Sequence, residues 1–392
     1  MKFMKNRRAY FAAAACMASV VGASAQDGDV SPPLFQVGSV EVRPNFTYGV
    51  TYDDNIRLNA AGEEDFVHNV NPGVNLGAGD YRSQAGSFFA AGYSANLLFF
   101  QDNDGANATD HSANASFGGG ERLSWRFDQT LVSASDADVQ NLAAGGRVKR
   151  RAWTSTLSTI YDLSEKTDLE TSVAYILNDF SSTATFDSQR IQGKALLDWE
   201  MTPKLHYGLG AALGYDQVDG SNNAVFEQAN ARAVWTVSPK LALRAGAGLE
   251  FRQHQGIDLD RVNFIYDVAA DWKISPLTVA SLGTDRGVTP SNSIANQYNT
   301  RTSVNVTLAH RIGERYTATL GGGYALSDGT ATGATGLTPQ EDDYYFVRPA
   351  VAAKLAERLS GSAFYQYRKN DSNNNAADFN NHQIGLSLSY AF

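Results

Sequence analysis

The charged residues with most scope for chemistry share one parity along the second half of the chain. They are Arg244, Glu250, Arg252, Arg261, Asp267, Asp271, Arg301, Arg311, Arg348, Lys354 and Arg368. Residues two apart on an extended segment project to the same side. Opposing charges on that side either set a field that selects passing ions or pair and brace a wall. Other chemistry has less support. The six histidines (68, 111, 206, 254, 310, 382) are scattered without metal-ligand spacing. Asp102-Asn103-Asp104-Gly105 begins like a calcium loop, but its sixth position is not glycine and no glutamate closes it. No Gly-x-Ser-x-Gly elbow or phosphate-cradling glycine loop occurs. The expectation is a protein with no catalytic residues, no cofactor and no metal.

The elements that carry these charges alternate with period two. Leu205, Tyr207, Leu209, Ala211, Leu213 and Tyr215 oppose His206, Gly208, Gly210, Ala212, Gly214 and Asp216. That alternation makes one clean apolar face on a strand and would scatter round a helix. It returns at 241–252, 316–327 and 382–392. Trp199, Trp235 and Trp272 add a longer period, 36 and then 37 residues, each followed by a proline (Pro203, Pro239, Pro276) and a leucine. Such a period marks a repeated supersecondary unit. The unit is a hairpin, with the prolines in turns where a fixed φ helps and no ladder N–H is lost. Eighteen strands are predicted, starting near 40, 66, 85, 111, 123, 150, 168, 188, 205, 225, 241, 261, 278, 298, 316, 342, 359 and 379. Short turns alternate with longer Asp/Asn/Gly-rich loops at 53–65, 102–110, 134–147, 218–224, 328–341 and 370–378.

Residues 1–25 read as a signal peptide: Lys2, Lys5, Arg7 and Arg8, an apolar run from Ala12 to Val21, then Ala23-Ser24-Ala25 before Gln26. Cys16 is the only cysteine and leaves with that leader. The net charge of −9 then becomes more negative, which excludes nucleic acid as a partner. After the leader no run is long and apolar enough for a membrane helix.

Alternating strands with alternating loop lengths predict an all-β fold, a transmembrane antiparallel up-and-down β-barrel of about 18 strands, with 16 as the alternative count. The expected layout is a short periplasmic tail at 26–39 and a barrel at 40–392, with both termini on the short-turn side. Trp125, Trp153, Trp199, Trp235 and Trp272 would form aromatic girdles, with Trp153 at the rim opposite the other four. Pro44, Pro72 and Pro349 fall inside strands, where bulges or strand ends are expected. Acidic residues in the loops (Asp53, Asp54, Glu63, Glu64, Asp65, Asp102, Asp104, Glu341, Asp342, Asp343) are read as a solvated rim. Gly208, Gly210, Gly246, Gly248, Gly321 and Gly323 would leave the wall thin beside the arginines.

The C-terminus resembles the assembly signal of outer-membrane β-barrels, position by position at Gln383, Gly385, Leu388, Tyr390 and Phe392. The resemblance implies recognition by the barrel-assembly machinery of a Gram-negative cell outer membrane. Tyr52-Asp53-Asp54-Asn55-Ile56 resembles the start of a family of β-barrel porins, some associated with exopolysaccharide systems. These features give an expected function: a porin-like channel for passive diffusion of small solutes, in outer-membrane lipid, open to homo-oligomer formation. An accessory barrel of exopolysaccharide export or attachment, touching polysaccharide, is the alternative. A non-conducting structural or adhesive barrel is a third class.

Overall fold

The computed structural model describes residues 35–84, 86–135, 147–256, 260–332 and 338–392. The predicted signal peptide, most of the predicted 26–39 tail and the middles of the 134–147 and 328–341 loops lie outside them. A short strand β1 (Phe35–Val37) precedes eighteen long ones. These are β2 (Val40–Asp53), β3 (Asp65–Gly79), β4 (Phe88–Phe100), β5 (Ala108–Gly119), β6 (Leu123–Ala134) and β7 (Arg150–Asp162). Then come β8 (Thr167–Phe180), β9 (Ser188–Thr202), β10 (Leu205–Val218), β11 (Ala224–Ser238), β12 (Leu241–His254) and β13 (Asp260–Ser275). The last are β14 (Thr278–Pro290), β15 (Gln297–Ile312), β16 (Tyr316–Ala331), β17 (Glu341–Lys354), β18 (Leu359–Ser372) and β19 (Phe379–Ala391). From β2 onward each strand pairs antiparallel with its successor. β19 returns to β2, with Gln383 opposite Asp53 and Ala391 opposite Asn45, so the sheet is a closed barrel.

Register fixes its size. The path of paired residues runs from Asn45 through Gly73, Ser94, Ser112, Val132, Ala152, Asn178 and Ser188. Continued round the wall, it returns to β2 displaced by about 22 residues. With strands about 4.8 Å apart and a rise of about 3.4 Å, that shear tilts the strands by about 41° and gives a backbone radius of about 18 Å.

The hydrophobic arrangement is inside out. Leu209, Leu213, Ile384, Leu386 and Phe264 are exposed on the outer wall, while carboxylates, amides and arginines line the inner one. Buried apolar clusters are small and belong to loop bases, such as Ile56, Val67, Leu98 and Phe100. A closed barrel with an apolar outer wall satisfies its backbone internally and is built for lipid, and the chain is an outer-membrane barrel. Among the described residues no helix is long and apolar enough to cross a membrane.

Within the 26–39 segment, Phe35–Val37 turns at Gly38 (φ 63°) and pairs with Val40–Val42. One expectation is corrected. None of the three prolines shifts the register. Pro72 and Pro349 fall where pairing with β4 and β18 lapses and then resumes. Pro44 lies just past the end of β19 pairing, where its carbonyl accepts from Phe392 N–H and no partner needs its nitrogen.

Candidate functional site

The lumen wall of β8–β12 carries a two-tier ionic network. In the upper tier Asp216 (β10) accepts from Arg190 Nη2 (β9) at 2.8 Å and from Arg252 Nη1 (β12) at 2.6 Å. Arg252 Nε also donates to Glu250 at 2.8 Å, and Gln228 Nε2 donates to the other Glu250 oxygen at 2.8 Å. The Phe226 ring lies beside both arginines, their guanidinium carbons 5.2 and 4.8 Å from its centroid. Its far end lies against Gly214, where any added methyl group would collide with it. Arg252, Glu250, Asp216 and Phe226 are each at most 2% exposed. Charges so buried must be paired, and these are, although Arg252 Nη2 is buried without a hydrogen-bond partner. In the lower tier Arg232 (β11) makes two bonds to Glu170 (β8), at 2.8 and 2.7 Å, and one to Asp198 (β9) at 2.7 Å. His206 stands 3.2 Å from Asp198.

The upper tier is buried because another part of the wall leans on it. β13 and β14 pair from Ser275–Thr278 up to Tyr266–Arg286 and no further. Above that point β14 and β15 remain paired with each other and tilt into the lumen. Arg190 Nη2 donates to the Val288 carbonyl at 3.3 Å. Tyr298 stacks on His254. The loop that joins β14 to β15 is held from across the mouth. Phe186 and Asn292 exchange two hydrogen bonds (2.7 and 2.8 Å), and Asn222 and Ser221 bond Asn296 at 2.9 Å each. The hairpin therefore narrows the pore at its outer end. A cleft lined by Asp216, Arg252, His254, Pro290, Gln297 and Tyr298 remains beneath it.

The wall from β15 to β18 is cationic. Arg301 (β15) has no carboxylate in ion-pair reach among the described residues, and its Nε is buried without a partner. Arg348 (β17) lies 4.3 Å over the Phe364 ring, and Arg368 Nε (β18) donates to Asn381 at 2.9 Å.

The predicted lumen charges thus separate into several settings. Glu250 and Arg252 are structural bracing. Arg244 and Asp267 form a loose, solvated pair at 4.0 Å. Asp271 accepts from Ser281 at 2.7 Å, and Arg311 reaches the Pro276 carbonyl at 3.5 Å, both near the short-turn rim. Lys354 is exposed at that rim and Arg261 at the other end of its strand. The glycines do not uniformly thin the wall. Leu196 lies over Gly208, Asp267 over Gly246 and Asn230 over Gly248; only Gly321 stays open. Sequence reasoning missed Arg190, Asp216, Arg232, Glu170 and Asp198. All five lie on strands before β12, which the predicted charges do not include. Asp216 was placed on the inner parity, yet nothing in sequence brings it to Arg190 and Arg252.

All five tryptophans are exposed on the outer wall, Trp125, Trp199, Trp235 and Trp272 near short turns and Trp153 near the long-loop end. Histidines serve as cross-strand partners of tyrosines: Tyr48–His68 and Tyr93–His111 at 2.9 Å, Tyr365–His382 at 2.8 Å. The acidic loop residues cap backbone. Asp65 accepts from the N–H groups of Gln101, Asp102 and Asn103, and Asp53 from Asn55, Asn381 and Gln383. Among the described residues no three carboxylates, histidines or cysteines converge on a metal position. In β19, Gln383 bonds Asp53 across the seam, Phe364 fills the space over Gly385, and Leu388, Tyr390 and Phe392 are exposed, with Tyr390 and Phe392 edge to face at 4.8 Å.

No protein-family model and no curated protein matches the chain. Solved structures do. The outer membrane channel DcaP of Acinetobacter baumannii aligns over 91% of this chain and 99% of its own, with TM-score 0.50 and 13% identity. OpdO of Pseudomonas aeruginosa aligns over 91% and 98%, with TM-score 0.47 and 11% identity. OprD of Pseudomonas aeruginosa aligns over 90% and 94%, with TM-score 0.43 and 12% identity. At these identities the likeness is one of fold, and of the three DcaP alone reaches a score that supports it: a large β-barrel over 91% of the chain.

Proposed function

We propose that the barrel is a porin-like channel through which small hydrophilic solutes cross the outer membrane by passive diffusion, and that it is not an enzyme. A wall of about 18 Å radius is too wide for its side chains to fill, so water occupies the rest. The observation that carries the reading is the constriction. The β14–β15 hairpin narrows the lumen by covering the self-neutralised ionic network, and the wall from β15 to β18 holds Arg301 and Arg368. Fixed charge without a nearby counter-charge attracts mobile ions of opposite sign, so small anions are the favoured solutes.

The five tryptophans act as interfacial anchors of the barrel in outer-membrane lipid. Gln383, Gly385, Leu388, Tyr390 and Phe392 present the last strand to the barrel-assembly machinery. A homo-oligomer is compatible with the apolar outer wall. Single-channel recording from purified protein in planar bilayers tests the central claim. A stable open conductance with anion preference is expected. A silent bilayer, with strand content verified by circular dichroism, would shift the reading to the exopolysaccharide accessory or the adhesive barrel.

A further inference from the structure

Above Tyr266 the wall is interrupted on the membrane side. The register of β13 and β14 would continue through four more pairs, from Ile265–Gly287 to Val262–Pro290, and none is made. β13 stays in the wall here, paired with β12 as far as Gln253–Asp260, while β14 follows β15 inward. Gly287 has open space around its Cβ position, and Pro290 brings no N–H to a ladder. One backbone edge of β13 therefore has no strand beside it.

Its depth makes that edge informative. Val262 stands ten residues along β13 from Trp272. At this tilt that is about 25 Å along the barrel axis, the height of an apolar belt. With Trp272 at the inner interface, the edge lies in the outer leaflet. Hydrocarbon offers backbone groups no partner, and open edges at membrane depth survive only where they line water. The lumen behind the gap supplies that water.

Arg286 marks the lower end. It lies on the outer parity opposite Tyr266, about 15 Å above Trp272. It donates to Thr302 Oγ1 at 2.7 Å and has no carboxylate partner among the described residues. A guanidinium so placed on a lipid wall is unfavourable unless water or an anion reaches it. Val262 and Phe264, 60% and 54% exposed, form an apolar lip above it.

We propose that the gap between β13 and β14 is a lateral portal for amphiphilic anions. An alkyl chain lies along Val262 and Phe264 while its anionic head group meets Arg286 and passes between the outer leaflet and the lumen. This adds a route through the wall to the axial route of the channel and requires only that the barrel sit in a membrane.

The portal is tested in two ways. Single cysteines at Phe264 and at Leu282, which faces lipid below the gap, are reacted in proteoliposomes with a water-soluble maleimide. Thiols ionise only in water, so F264C is expected to label at least about tenfold faster than L282C. Dodecanoate dissolved in a planar bilayer is expected to block the open current where acetate does not, and R286Q to raise its half-blocking concentration about tenfold. Equal labelling at the two cysteines, or equal block of wild type and R286Q, overturns the proposal. Cross-linking of F264C to a second copy also overturns it, by assigning the edge to a contact between barrels. A barrel with no current would remove the porin reading and leave the labelling rates to decide the portal.

Discussion

His254 and Tyr298 stack with ring centroids 5.2 Å apart and planes at 16°, although their strands, β12 and β15, stand three places apart in the wall. Tyr298 shares a parity with Val304 and Val306, which face outward lower on the same strand, yet it is only 3% exposed. One face of β15 thus meets lipid below and the lumen wall above. That crossing of layers is the constriction.

Tyr298→Ala should loosen it. Stacking is worth about 1 kcal/mol beyond area burial, so the population with the hairpin swung away should rise roughly fivefold. Single-channel records should show higher mean conductance and more open-state noise. Unchanged records would locate the constriction elsewhere.

Asp216→Asn should damage the barrel more than its conservative size suggests. It leaves Arg190 and Arg252 buried with half their compensation, at a cost of about 3 kcal/mol. The temperature at which the compact gel form converts to the slow form should fall clearly. Arg190→Met paired with Asp216→Leu removes one ion pair whole, leaves Arg252 bonded to Glu250, and should recover part of the loss.

Selectivity should respond to Arg301 and Arg368 and not to Arg244. The first two have no carboxylate pair among the described residues, whereas Arg244 has Asp267 at 4.0 Å. Reversal potentials in a potassium chloride gradient should move toward cation preference for the double Arg301→Ala, Arg368→Ala variant. They should change little for Arg244→Ala.

Assembly should fail when the last strand loses its aromatic end. Tyr390→Ser with Phe392→Ser should be exported but not inserted, read as loss of heat-modifiable migration. Gln383→Ala should insert but open at lower temperature, since the Gln383–Asp53 bond of 2.6 Å spans the seam.

Topology follows from loop length. Gly105→Cys, in an uncrowded long-loop site, should react with an impermeant reagent on intact cells. Lys240→Cys, in the turn after Pro239, should not. Labelling of Lys240→Cys from outside would invert the barrel.

The barrel was legible in the sequence because its two signals are local. Side-chain alternation fixes which face each residue serves, and loop alternation fixes the hairpins. Strand starts such as Val40, Arg150, Leu205 and Leu241 fall where that reasoning puts them. The network around Asp216 was not legible. Its bond to Arg190 spans 26 positions and its bond to Arg252 spans 36, and only the register brings them together. The inward lean was hidden for a related reason. The side-chain alternation of β14 gives no sign that its neighbour has been left behind. Parity identifies a lumen-facing charge; pairing decides whether it is a brace or a free cation. For Arg252 and Arg301 the outcomes are opposite.

The outward placement of every tryptophan has a spectroscopic consequence. Five indoles on the lipid side and none in the lumen make intrinsic fluorescence a reporter of the surroundings of the outer wall alone. Brominated acyl chains should quench nearly all of the emission once the barrel is inserted, and water-borne iodide should quench little. Solute entering the lumen, or the β14–β15 hairpin moving, should leave the spectrum almost unchanged. An optical probe of the interior must therefore be built in, and Phe226→Trp would place one between Arg190 and Arg252.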